Sequence, residues 1–304
     1  MRTRQVLGCK ALLVLLALTL VVAGCSRMNL AYRNLHLLIP WSLADYLDLD
    51  RDQQRRFRAQ LRGHLDWHCR TQLPAYLADI EQLQTQVRRG ALDERTLRAD
   101  YEKARRAIHA IATEITPTLT QLLAGLDETQ VRELDEALEE DRRENRDEYL
   151  KPPLDQQIRE RAERMSERVE QWLGSVSPAQ RQRILTWSHA LGAQNRLWLE
   201  NRAHWQQRLS EAVADRHEAG FEQRITQLLQ APETLWSADY RAAFGRAEQL
   251  TLDLLHELYE LSDAGQRQHF VGQLEDLRKD LGSLECLPEP GGSSARSEVR
   301  TKAS

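Results

Sequence analysis

From Asp50 to Leu281 apolar residues recur at spacings of three and four, which selects α-helices almost throughout. Phe57, Leu61, Leu65 and Cys69 make one stripe; beyond Pro74, Leu77, Ile80, Leu83 and Val87 resume it until Gly90. Leu97, Tyr101, Ala104, Ile108, Ile111 and Ile115 carry the next stripe toward Pro117, which is expected to kink or divide the helix. Residues 139–148 have no apolar face and read as a solvent-exposed helix held by charge pairs. Ser177-Pro178 is a strong helix start. Ile184, Trp187, Leu191, Trp198, Trp205 and Leu209 then read as the core stripe of the longest helix in the chain. Gly and Pro are scarce, β-branched runs are absent, and Gln, Leu, Ala, Glu and Arg dominate. The fold class expected is all-α, an elongated helical bundle.

Helix starts share a phrase. Leu49-Asp50-x-x-Gln53, Leu126-Asp127-x-x-Gln130 and Val176-Ser177-x-x-Gln180 each precede an apolar stripe. Leu261-Ser262 introduces a looser fourth copy, with Gln266 one residue late. The Asp or Ser accepts a backbone N–H as the N-cap, and the Gln can return a hydrogen bond as in a capping box. The glutamines fall into two pairs separated by 77 and 86 residues, which suggests two related helical halves.

The amino terminus sets location. Arg2, Arg4 and Lys10 precede an apolar run from Ala11 to Ala23, too short for the about 20 residues a spanning helix needs. This is the layout of a secretory leader. Val22-Ala23-Gly24-Cys25 resembles a bacterial lipobox. That resemblance implies diacylglyceryl transfer to Cys25, cleavage before it, and anchoring of the mature chain to a membrane. Ser26, rather than Asp, after the cysteine implies the periplasmic face of the outer membrane. Residues 1–24 are thus expected to be a signal peptide and 25–49 a lipidated tether. The tether's short helix is stopped by Pro40, with Trp41 packed on the body rather than at lipid headgroups. Residues 50–151 and 152–287 are the two helical halves, parted at Lys151-Pro152-Pro153, and 288–304 a disordered tail.

Without the leader's three basic residues the chain has 39 Lys+Arg against 46 Asp+Glu, a net charge of −7, which argues against a nucleic-acid partner. Cys69 and Cys286 remain after the leader and the anchor are set aside. In an oxidising compartment they either pair or stay as one buried thiol and one tail thiol.

Two family resemblances add to this reading. The Asp/Ser-x-x-Gln phrase is similar to the LTxxQ motif of the Spy and CpxP group of periplasmic chaperones, which implies a helical cradle for unfolded envelope proteins. More of the chain is covered by a second likeness. Asn29 to Leu35, Ile39-Pro40-Trp41, Trp67-His68, Leu73-Pro74-Ala75-Tyr76 and Trp172-Leu173-Gly174 resemble the bacterial lipoproteins of domain-of-unknown-function 6279. That family often has Trp-His-Arg where this chain has Trp67-His68-Cys69-Arg70, and the likeness implies a helical lipoprotein without naming an activity.

Motifs for catalysis are missing from the sequence. His64 and His68 lie one helical turn apart and are the candidate metal ligands, but a zinc site needs a third. No cofactor motif is present: there is no phosphate-cradling glycine loop, no G-x-S-x-G and no S-x-x-K. The function expected is a non-enzymatic binding or scaffold module of the cell envelope with a protein partner. The alternatives are a Spy-like chaperone and a metal-dependent enzyme using His64 and His68.

Overall fold

A computed structural model describes residues 31–286; the leader, Cys25 and the expected tail fall outside them. Among the described residues there are eleven α-helices and no strand. In chain order they are α1 (Leu35–Leu43), α2 (Arg51–Trp67), α3 (Leu73–Arg88), α4 (Glu94–Ala124), α5 (Glu128–Tyr149), α6 (Leu154–Leu173), α7 (Pro178–Leu191), α8 (Gln194–Ala214), α9 (Phe221–Gln230), α10 (Ala238–Glu260) and α11 (Ala264–Gly282). A π-helical turn, His68–Gln72, joins α2 to α3, and a 3-10 turn, Pro232–Leu235, follows α9. No helix among the described residues is long and apolar enough to cross a membrane.

Helix α4 is the spine, and α2, α9 and α10 pack along it. Helix α11 lies on α3, α5 on α8, and α7 between α6 and α10. Helices from 50–151 therefore pack on helices from 152–287, and the two stretches share their interfaces. One large apolar cluster joins α6, α7 and α10 through Val169, Leu173, Ile184, Trp187, Leu254 and Leu258. A second joins the loop before α2 to α5 and α8 through Leu47, Leu49, Leu126, Leu134, Leu138 and Val213.

Several expectations are corrected. Pro40 does not stop α1, which runs through it to Leu43. Only one N–H is lost there, and the carbonyl of Pro40 still accepts from Ala44 at 3.1 Å. Pro117 likewise does not divide α4, because packing on α2, α9 and α10 outweighs a proline cost of about 3 kcal/mol. The tryptophan stripe spans two helices. Gly192, at φ +52°, breaks the chain between α7 and α8, so the longest described helix is α4, with 31 residues. All three tryptophans still pack inward or pair: Trp187 donates to Thr251, Trp205 to the Leu228 carbonyl, and Trp198 meets Tyr149 edge-on.

Residues 139–148 are not wholly solvent-facing. Asp141 and Asn145 are buried, because α5 presents that side to α8. At α11 the cap is Asp263, not Ser262, which puts Gln266 at the capping-box position rather than one residue late. Trp41, expected to pack on the body, is 64% exposed.

Candidate functional site

The four cap glutamines meet in pairs. At α2 the Asp50 side chain accepts from the Gln53 N–H, and the Gln53 side-chain oxygen accepts from the Asp50 N–H at 2.9 Å. Asp127 and Gln130 repeat this at α5. The backbone hydrogen bonds from Gln53 and Asp52 hold the Asp50 carboxyl below its usual range. The two glutamines then face each other. Gln53 Nε2 donates to Gln130 Oε1 at 3.0 Å, and Gln130 Nε2 donates to Gln53 Oε1 at 2.7 Å. Each Nε2 also donates to a backbone carbonyl two residues before the partner's cap, Gly125 at 2.9 Å and Asp48 at 2.8 Å. Every side-chain donor and acceptor of the pair is used, which a buried amide requires.

Gln180 and Gln266 form the second latch, with reciprocal bonds of 3.2 and 2.9 Å. Gln266 Nε2 donates to the Ser175 carbonyl at 2.5 Å, again two residues before the partner's cap. Gln180 departs from the pattern and donates to the Leu258 carbonyl and the Ser262 hydroxyl. The capping boxes are legible in the sequence; the handshake between them is a tertiary fact.

Cys69 and Cys286 are joined as a disulfide with Cα atoms 6.0 Å apart, within the ordinary range. Cys69 sits in the π turn, fully buried with Leu73 and the end of α11. The neighbouring His68 packs between Tyr32 and Tyr76, and its Nδ1 lies 2.9 Å from the Tyr32 hydroxyl. Burial pushes the His68 pKa down and those of Tyr32 and Tyr76 up.

His64 and His68 do not converge. His64 turns to α4, where Nδ1 meets Glu114 at 3.0 Å and Nε2 meets Thr118 at 2.7 Å. Among the described residues, no three His, Cys, Asp or Glu side chains gather where they could hold a metal ion.

A buried polar node lies between α5 and α8. Asp141, 3% exposed, accepts from Arg202 through both Nε and Nη2 and from Gln206 at 2.8 Å. Tyr46 donates to its other oxygen at 3.3 Å. Burial, then the Asp141 charge, pushes the Tyr46 hydroxyl up to about 12. Arg161 is buried without a carboxylate; it donates to the Ser188 and Gly192 carbonyls at the end of α7 and to Asn195. There the negative end of the helix dipole supplies the compensation. Sequence reasoning missed both nodes, since one Asp or Arg among many carries no local mark of burial.

Shallow concavities mark the surface of the described residues. One, of about 450 Å³, is lined mainly by polar residues of α9, with His109 of α4. Another, of about 270 Å³, is an apolar groove between α1 and the start of α2, including Trp41, Leu47, Leu49 and Phe57.

The sequence profile of a family of unknown function, DUF6279, matches residues 45–241. The chain belongs to that family. In this DUF6279 protein the match takes in both partners of the first latch, Gln180 and Cys69. Helix α1, Gln266 and Cys286 lie beyond it. No curated protein and no solved structure gives a significant match.

Proposed function

We propose that this chain is a lipid-anchored envelope lipoprotein, held by Cys25 to the periplasmic face of the outer membrane, that acts as a non-enzymatic binding or scaffold module. The observation that carries the reading is the Cys69–Cys286 bridge in a chain whose Val22-Ala23-Gly24-Cys25 resembles a lipobox. A bridge of this kind forms in oxidising compartments outside the cytosol, which is where a lipobox directs a chain. The internal polar groups add support. Both Gln pairs, Asp141, Arg161 and His64 are engaged in fixing helices against one another, as suits a rigid platform.

Two measurements in cells test this. The intact mass of the mature amino terminus is expected to show acylated Cys25, and Cys25→Ser is expected to release the protein from the membrane fraction. In-cell crosslinking is expected to retrieve a discrete envelope protein. A mature chain found unacylated in the cytosol would sink the proposal.

A further inference from the structure

Helix α1 is apolar on nearly every side, and only part of that surface is packed on the body. Leu35 is buried, while Leu37 is 54% exposed, Leu38 37% and Trp41 64%. Leu37, Trp41 and the exposed Ala44 stand four and three residues apart, so they line one stripe, and Leu38 flanks it. Among the described residues the other large exposed apolar side chains are Ile108, Leu154, Leu255 and Leu261, none of them on α1 or α2. Beside Trp41 the stripe runs into the apolar groove over Leu47, Leu49 and Phe57, whose rim carries Arg58 and Asp48.

We propose that this face of α1 lies in the headgroup boundary of the bilayer that holds the anchor. The inference rests on the lipoprotein reading of Cys25. Ten residues separate Cys25 from Leu35, a reach of at most about 35 Å when fully extended. The first described helix is thereby held close to the membrane surface, with Leu37, Leu38 and Trp41 left exposed by the other described residues. A tryptophan beside leucines on such a helix suits the lipid interface, where an indole keeps its N–H wet and its ring in the acyl boundary. No acidic residue lies within α1, but the exposed Asp45 and Asp48 beyond its end offset Arg33 and Arg58. Docking is therefore driven by apolar burial rather than by anionic lipid, and it sets the orientation of the helical body on the membrane.

The mature full chain is reconstituted into phosphatidylethanolamine–phosphatidylglycerol vesicles, with and without brominated acyl chains. Its tryptophan emission is compared with that of Trp41→Phe, which isolates Trp41 from the other six tryptophans. The expected result is a Trp41 component quenched by bromine, shielded from aqueous acrylamide only when vesicles are present, and little changed by salt. Leu37→Glu with Trp41→Glu is expected to keep the helical circular dichroism, since both sites are exposed. In an unacylated Cys25→Ser background the same pair is expected to lower vesicle partitioning by about tenfold or more. A chain shown by mass to be acylated, yet with Trp41 open to acrylamide on vesicles, overturns this inference alone. Trp41 shielded without lipid, by a second copy or by residues 287–304, also overturns it. Absence of the lipid mass overturns the anchor reading, and the inference with it.

Discussion

The two glutamine latches use one local phrase and sit in different surroundings. Gln53 and Gln130 join the starts of α2 and α5 below the loop that leads from α1, each about as buried as the other at 6% exposure. Gln180 is completely buried at 0% and lies under the α6–α7–α10 cluster, while Gln266 is 7% exposed. The first latch is symmetric, each amide reaching the carbonyl two residues before its partner's cap. The second is not, because the end of α10 offers Gln180 the Leu258 carbonyl and the Ser262 hydroxyl instead. A capping box thus fixes where a helix starts and leaves open which other helix start it joins. The surrounding apolar packing decides that, and it also decides how much the joint is worth.

The largest expected effect bears on whether the two latched regions act as one body. The disulfide closes a loop of 217 residues that contains the whole second latch and Gln130 of the first, while Gln53 lies outside it. Cys286→Ser is expected to cost about 5 kcal/mol on chain-entropy grounds. Urea unfolding of the variant should stay a single transition, because the stretches share helix interfaces; two separated transitions would show that they are independent.

Next come the latches themselves. Gln180→Ala strands the Ser177 N–H and takes one acceptor and one donor from the Gln266 amide inside a fully buried site, and about 3 kcal/mol of destabilisation is expected. Gln53→Ala is expected to cost about 1–2 kcal/mol, since water can reach that rim more easily. Equal losses in chemical denaturation would break the comparison. Asp141→Ala, beside the first region, belongs between these at about 2–3 kcal/mol: it leaves Arg202 and Gln206 without their acceptor, although Arg202 is partly solvated.

Acid probes the disulfide end. Burial lowers the folded-state pKa of His68 below its ordinary 6.5, so the folded protein binds fewer protons there than the unfolded chain. Its contribution is full above about pH 6.5 and is lost as pH falls from there through the lowered folded value. His68→Phe is expected to flatten that part of the stability–pH curve; an unchanged slope between wild type and variant would assign the loss to other groups. The smallest effect is at α1. Trp41→Ser should change stability by less than about 0.5 kcal/mol, because the ring contacts little of the body, and a larger loss in thermal unfolding would mean that Trp41 packs inward.

Much of the helical layout was readable. Asp50, Asp93, Asp127 and Ser177 cap the helices they precede, and Gly90, Gly174 and Gly220 fall at helix ends, because caps and positive-φ stops act within one turn of chain. Reading failed where distant packing overrode a local rule. Pro40 and Pro117 sit inside helices held by their neighbours, and Gly192 divides a stripe whose apolar spacing continues unbroken through it. Asp141 looked like one charge in a charged run, and only the arrival of Arg202 and Gln206 from α8 makes its burial tolerable.

By itself, then, the sequence determined an all-helical chain, its cap residues and its four glutamines, since periodicity and capping depend on neighbours a few positions away. Tertiary structure alone decided that the glutamines pair, that Cys69 reaches Cys286, that His64 and His68 part company, and that α1 buries Leu35 while leaving Leu37, Leu38 and Trp41 exposed. Those outcomes depend on which helix faces compete for burial across tens to hundreds of residues, and no local spacing encodes that competition.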